Sequence, residues 1–133
     1  MKNKDIGLII VQLYLYADLT KKIHYTTAKN HMHELCDTVR DTILEFVDEF
    51  AEQMFGYNGK PKFNDFPRFE SVKIKETTDI TEICNSCTEV LELFYKENKD
   101  NDKLSGVISL IDDFKGDLNK LIFLSTFDKV SNY

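Results

Sequence analysis

Residues 28–55 read AKNHMHELCDTVRDTILEFVDEFAEQMF. Leu35, Val39, Ile43, Phe46, Val47, Phe50 and Met54 recur there at intervals of three and four, the spacing that lines one face of an α-helix. No proline interrupts the run, and Gly56 follows as a natural stop. A helix this long with a single apolar stripe needs other helices to cover it.

Working outward, those partners are legible. Upstream, Ile6, Ile9, Ile10, Leu13 and Ala17 mark a helix over about 4–25, and Thr26-Thr27 offers an N-cap for the helix that follows. Downstream, Gly56, Gly59, Pro61 and Pro67 punctuate residues 56–78, where Val72 and Ile74 alternate with lysines in extended fashion. That connection reaches up to ~70 Å, beyond the ~40 Å length of a helix of this size. Asp79-Ile-Thr-Glu82 resembles a capping box and opens a third helix over about 79–97, with Ile80, Ile83, Cys84, Cys87, Val90, Leu91 and Phe94 as its stripe. The short polar turn 98–102 makes the fourth helix, about 103–127, its antiparallel neighbour. The expectation is an all-α chain, one domain over 1–133, built as a four-helix bundle with a long crossover between helices 2 and 3.

Composition narrows the function classes. The 133 residues are 42% hydrophobic and 30% charged, ordinary for one globular core. A net charge of −6 has the wrong sign for gripping phosphate backbones, and Lys21-Lys22 and Lys60-Pro-Lys62 are short and far apart, so direct nucleic-acid binding is not expected. No apolar run approaches the ~18 residues of a membrane helix. Three cysteines, Cys36, Cys84 and Cys87, make no disulfide framework and point to a reducing, cytoplasmic setting. Cys84-Asn-Ser-Cys87 lies on an apolar stripe without a second pair, so it reads as core. There is no Gly-rich phosphate loop and no nucleophile elbow.

The polar side of helix 2 holds the candidate chemistry. With His33 at zero on a wheel of about 100° per residue, Asp37 falls near 40°, Asp48 near 60° and Glu52 near 100°, away from the apolar stripe. Such a row also reads as a solvated face. Leu44 sits in the middle of it, which suits a face that meets a partner. His31 falls between the two faces and reads as a surface residue. His33 and Glu52 share a centre of symmetry with Asp37 and Asp48. Within one helix His33 and Glu52 are ~28 Å apart and cannot share an ion. Two copies crossing antiparallel would bring His33 and Asp37 beside the partner's Asp48 and Glu52, making two identical sites. One imidazole with several carboxylates suits iron(II) or manganese(II), and His24 near the end of helix 1 completes the set.

The run His24-Tyr25, His33-Glu34, Asp37, Asp48-Glu49 and Ala51-Glu52 resembles the Dps (mini-ferritin) family of the ferritin-like superfamily. In that family a His-Trp pair ends the first helix. The second helix carries a His-x3-Asp/Glu pair, and an Asp-x3-Glu pair follows eleven residues on. Asp37 to Asp48 reproduces that interval. The nine-residue step from His24 to His33, and Leu118-Asn-Lys-Leu-Ile-Phe-Leu124, are similar to a divergent branch in tailed-phage genomes. The chain departs from typical members in having Tyr25 for tryptophan, a shorter helix 1–helix 2 interval, and no obvious short helix within 56–78.

The resemblance implies a ferritin-like fold and metal ligands His24, His33 and Asp37 from one subunit, with Asp48 and Glu52 from its two-fold neighbour. It implies ferroxidase activity on iron, with storage or detoxification in a homo-oligomeric shell, dodecameric in the family, in the host cytoplasm for a phage-encoded chain. The other reading left open is a non-catalytic structural or interaction protein that keeps the bundle and the dimer surface.

Overall fold

The computed structural model describes the backbone of residues 1–130 and the side chains of 1–127. The last three residues of the expected domain, 131–133, lie outside the described residues. The fold is all-α: four helices, α1 (Asn3–Thr26), α2 (Asn30–Asn58), α3 (Ile80–Asn98) and α4 (Ser105–Val130), with no strand among the described residues.

Helix ends differ from the sequence expectation for local reasons. The hydroxyl of Thr26 donates back to the carbonyls of Lys22 and Ile23 at 2.9 and 3.3 Å, so Thr26 closes α1 rather than opening α2. Thr27 Oγ1 accepts from the Lys29 N–H at 3.4 Å, and α2 begins at Asn30. At the other end α2 runs through Gly56 and stops at Gly59, whose φ of 105° is open only to a residue without a side chain. Asp79 does cap α3, its carboxylate accepting from the Thr81 N–H at 2.9 Å. A 3-10 turn, Asp102–Leu104, leads into α4.

Polar contacts fix which way each helix runs. Asn58 at the end of α2 donates to Asn3 at the start of α1 (2.8 Å). Tyr57 meets Asn101, in the turn between α3 and α4, at 3.4 Å. At the opposite end His31 Nε2 lies 3.0 Å from the Leu124 carbonyl, and Thr81 Oγ1 lies 3.1 Å from Ser125 Oγ. Hence α1 and α4 run one way while α2 and α3 run the other. The main packing contacts, α1 with α2 and α3, and α4 with α2 and α3, are all antiparallel. Residues 59–79 therefore traverse the full length of the helices.

Two devices hold that crossover on α1. The Tyr16 hydroxyl, on a buried ring, accepts from the Lys75 N–H at 3.2 Å. Gly7 lies where the crossover forms a 3-10 turn, Phe63–Asp65; a Cβ there would strike the Asp65 carbonyl. A second such turn covers Phe69–Ser71, so the segment is mostly extended and punctuated, as its composition suggests. The core is one cluster fed by all four helices. At its centre Phe46 stacks on Phe114 with centroids 4.1 Å apart, and Phe50 meets Phe94 edge-on at 5.3 Å. Cys84 and Cys87 are both fully buried in it, as their place on the stripe requires.

Candidate metal centre

The three-residue turn 27–29 folds the last turn of α1 against the first turn of α2, which brings His24 to His33. Their rings stand edge to face with centroids 4.5 Å apart. His24 Nδ1 lies 3.0 Å from the His33 backbone carbonyl. A carbonyl can only accept, so Nδ1 carries the proton, and in the neutral form of the ring the lone pair sits on Nε2. Asp37, one turn beyond His33, places Oδ1 3.3 Å from the same Nδ1.

Asp37 is the unusual member. Its side chain is 42% exposed overall, yet Oδ1 is buried and accepts no hydrogen bond of sound geometry among the described residues. Lys21 Nζ and Arg40 Nη1 each stand 3.7 Å from it, at the outer range of an ion pair. Arg40 also reaches Asp41 at 3.3 Å. Oδ1 is thus flanked by nitrogens of His24, Lys21 and Arg40, none of them in hydrogen-bonding geometry. The sequence reading missed Lys21 and Arg40. Their signal was present, since Lys21 lies three residues before His24 and Arg40 three after Asp37, on the faces those residues share.

Asp48 and Glu52 lie further along α2 and are exposed. Asp48 faces α1: the Tyr14 hydroxyl is pushed above its ordinary range first by burial and then by the Asp48 charge. Among the described residues no three His, Cys, Asp or Glu side chains group tightly enough to hold a metal ion. The single chain thus brings His24, His33 and Asp37 to one end and leaves Asp48 and Glu52 apart from them.

The surroundings bear on reactivity. Cys36, beside Asp37, is buried and its thiol is pushed up to about 11 by burial and then by that carboxylate. Tyr25 is 72% exposed, with its ring 5.5 Å from His24 and Lys21 set over its face at 5.1 Å. Leu44 is half-buried. It lines a shallow apolar hollow of about 380 Å³ with Tyr14, Ala17 and Phe69, between the cluster and Asp48. His31 is no bystander on the surface: its ring is half-buried and binds the end of α4 through Leu124. No helix among the described residues is long and apolar enough to cross a membrane. No family model, characterised protein or solved structure matches the chain.

Proposed function

We propose that the chain is a ferritin-like four-helix bundle that oxidises iron(II) at a site shared across a two-fold dimer, in the manner the Dps resemblance implies. The observation that carries this reading is Asp37 Oδ1, a buried carboxylate oxygen without a hydrogen bond, 3.3 Å from an imidazole, His24, that packs on a second, His33. Lys21 and Arg40 stand 3.7 Å from it, beyond hydrogen-bond range, so a metal ion bound closer would satisfy the oxygen. Carboxylate oxygen with neutral imidazole nitrogen is a donor set for iron(II) or manganese(II). The His24 Nδ1–H held by the His33 carbonyl has the form of the outer-sphere contact that orients a ligating histidine. Iron(II) is the substrate and peroxide or oxygen the oxidant, with the ferric product stored in an oligomeric shell. Asp48 and Glu52 of a second copy supply the remaining carboxylates. The crossover between α2 and α3, along antiparallel neighbours, supports the ferritin-like path.

A second reading, an interaction protein with the same helical frame and no iron chemistry, has one observation in its favour. Lys21 and Arg40 already stand near Asp37 and balance its charge without a metal. Aerobic iron(II) oxidation, followed by ultraviolet absorbance of the ferric product, with light scattering on the same sample, separates the two. Saturable oxidation by an assembly, abolished in His24→Ala/Asp48→Ala with the assembly intact, is the expected result. No oxidation above buffer would leave the interaction protein.

A further inference from the structure

Three side-chain nitrogens lie close to Asp37 Oδ1. His24 Nδ1 is 3.3 Å away, and Lys21 Nζ and Arg40 Nη1 are each 3.7 Å away. Lys21 comes from the last turns of α1 and Arg40 from α2, one turn beyond Asp37. Their side chains are 33% and 28% exposed, so both charges are less screened than those of a free surface lysine. Two cations thus stand on the one carboxylate that the proposed site offers at this end. A divalent ion bonded to Oδ1 would bring its charge close to both, where like charges repel. The three cannot share the oxygen as the side chains now lie.

Each cation already has a second place to go. Arg40 Nη2 donates to Asp41 Oδ1 at 3.3 Å, one residue along α2, and Asp41 is exposed. Lys21 Nζ lies over the face of the exposed Tyr25 ring, 5.1 Å from its centroid, where a cation is attracted by the ring quadrupole. Both second partners are within reach of the side chains as they stand, so the exchange needs no movement of either helix. Asp18, the other carboxylate beside Lys21, is held by Lys22 at 3.5 Å.

We propose that Lys21 and Arg40 are displaceable counter-cations: they balance Asp37 until a divalent metal ion takes Oδ1, and then transfer to Tyr25 and Asp41. Resting on the reading of Asp37 as a metal ligand, this makes them positioning residues that regulate metal entry rather than ligands. A purely structural ion pair would behave differently. Removing one member of such a pair weakens whatever the pair holds in place, a bound metal included. Removing a competing cation strengthens metal binding while the protein without metal loses an ion pair. The two roles therefore predict opposite signs for metal affinity.

Manganese(II) binding to the full chain, followed by the electron paramagnetic resonance signal of the free ion, tests this, with urea denaturation without metal alongside. Lys21→Gln and Arg40→Gln are each expected to bind manganese(II) several-fold more tightly, and the double variant about tenfold or more. Their stability without metal is expected to be slightly lower. Arg40→Lys keeps the charge and is expected to bind as the wild type does. The gain from Arg40→Gln is expected to vanish in Arg40→Gln/Asp37→Asn, which ties it to that carboxylate. Wild-type binding that the neutral variants leave unchanged or weaken overturns this inference and spares the iron reading. Binding that appears only once Lys21 or Arg40 is neutral sustains the inference and sinks the iron reading for the native chain. No binding by any of them overturns both.

Discussion

The imidazole of His24 stands edge to face against that of His33 across the turn joining α1 and α2, with ring centroids 4.5 Å apart and the His24 Nδ1 held at 3.0 Å by the His33 carbonyl. The contact joins the last turn of one helix to the first turn of the next. It leaves Asp37 Oδ1 facing both the ring and two cations.

Asp37→Asn tests whether that oxygen serves a metal. The change keeps the shape and removes the charge, so iron(II) oxidation is expected to fall at least tenfold, about 1.4 kcal/mol in barrier, with far-UV circular dichroism unchanged. Asp41→Asn is the control, because Asp41 is exposed and pairs with Arg40. Equal loss in both variants, or in neither, would remove Asp37 from the site.

Two glycine-to-alanine changes are expected to act in opposite directions. At Gly7 the added Cβ collides with the Asp65 backbone, and overpacking of this kind costs about 1–3 kcal/mol. Residues 59–79 should also become more open to limited proteolysis. At Gly116 nothing lies within 4 Å of the new Cβ, so the change is expected to stabilise α4 by about 1 kcal/mol through helix propensity. Urea denaturation measures both, and a stable Gly7→Ala would mean that the crossover does not rest on α1.

The buried thiols set an alkaline limit on stability. Burial, then the Asp37 charge, pushes Cys36 up to about 11; burial, then the Asp79 charge, pushes Cys84 up to about 12; Cys87 is also raised, by burial and then by Cys84. An unfolded thiol loses its proton near about 8.5, so the folded state holds protons that the unfolded state releases above that pH. Their contribution is therefore fully present below about 8.5 and is lost as pH rises toward the folded values. Cys36→Ala should make the alkaline fall of urea stability shallower. In the native protein at pH 8, iodoacetamide should leave all three thiols unlabelled, and rapid labelling of Cys36 would show that the α1–α2 end opens readily.

Much of the fold was legible because helix burial obeys a period that can be counted. The stripe from Leu35 to Met54 lies in the core as one row, and in α3 the row from Ile80 to Phe94 does so except for Val90, which is half-buried at its edge. The proline- and glycine-rich stretch after α2 is the connection its composition suggests, with two short 3-10 turns added. Helix ends were less legible. Thr26, Thr27, Gly56 and Gly59 all have chemistry suited to a boundary, and the choice among them depended on where the α1–α2 turn and the crossover had to go.

By itself, the sequence determined that the chain is helical, that His33 and Asp37 share a face, and that Asp48 and Glu52 lie too far along α2 to join them, since rise and turn per residue are properties of the backbone alone. Only the tertiary structure decided that His24 meets His33, that Lys21 and Arg40 approach Asp37, that Gly7 yields room to Asp65, and that Phe63 is left in water. Each of those relations joins segments on different elements. Local periodicity holds no information about them, because they are set by how the helices pack and by the path the crossover takes along them.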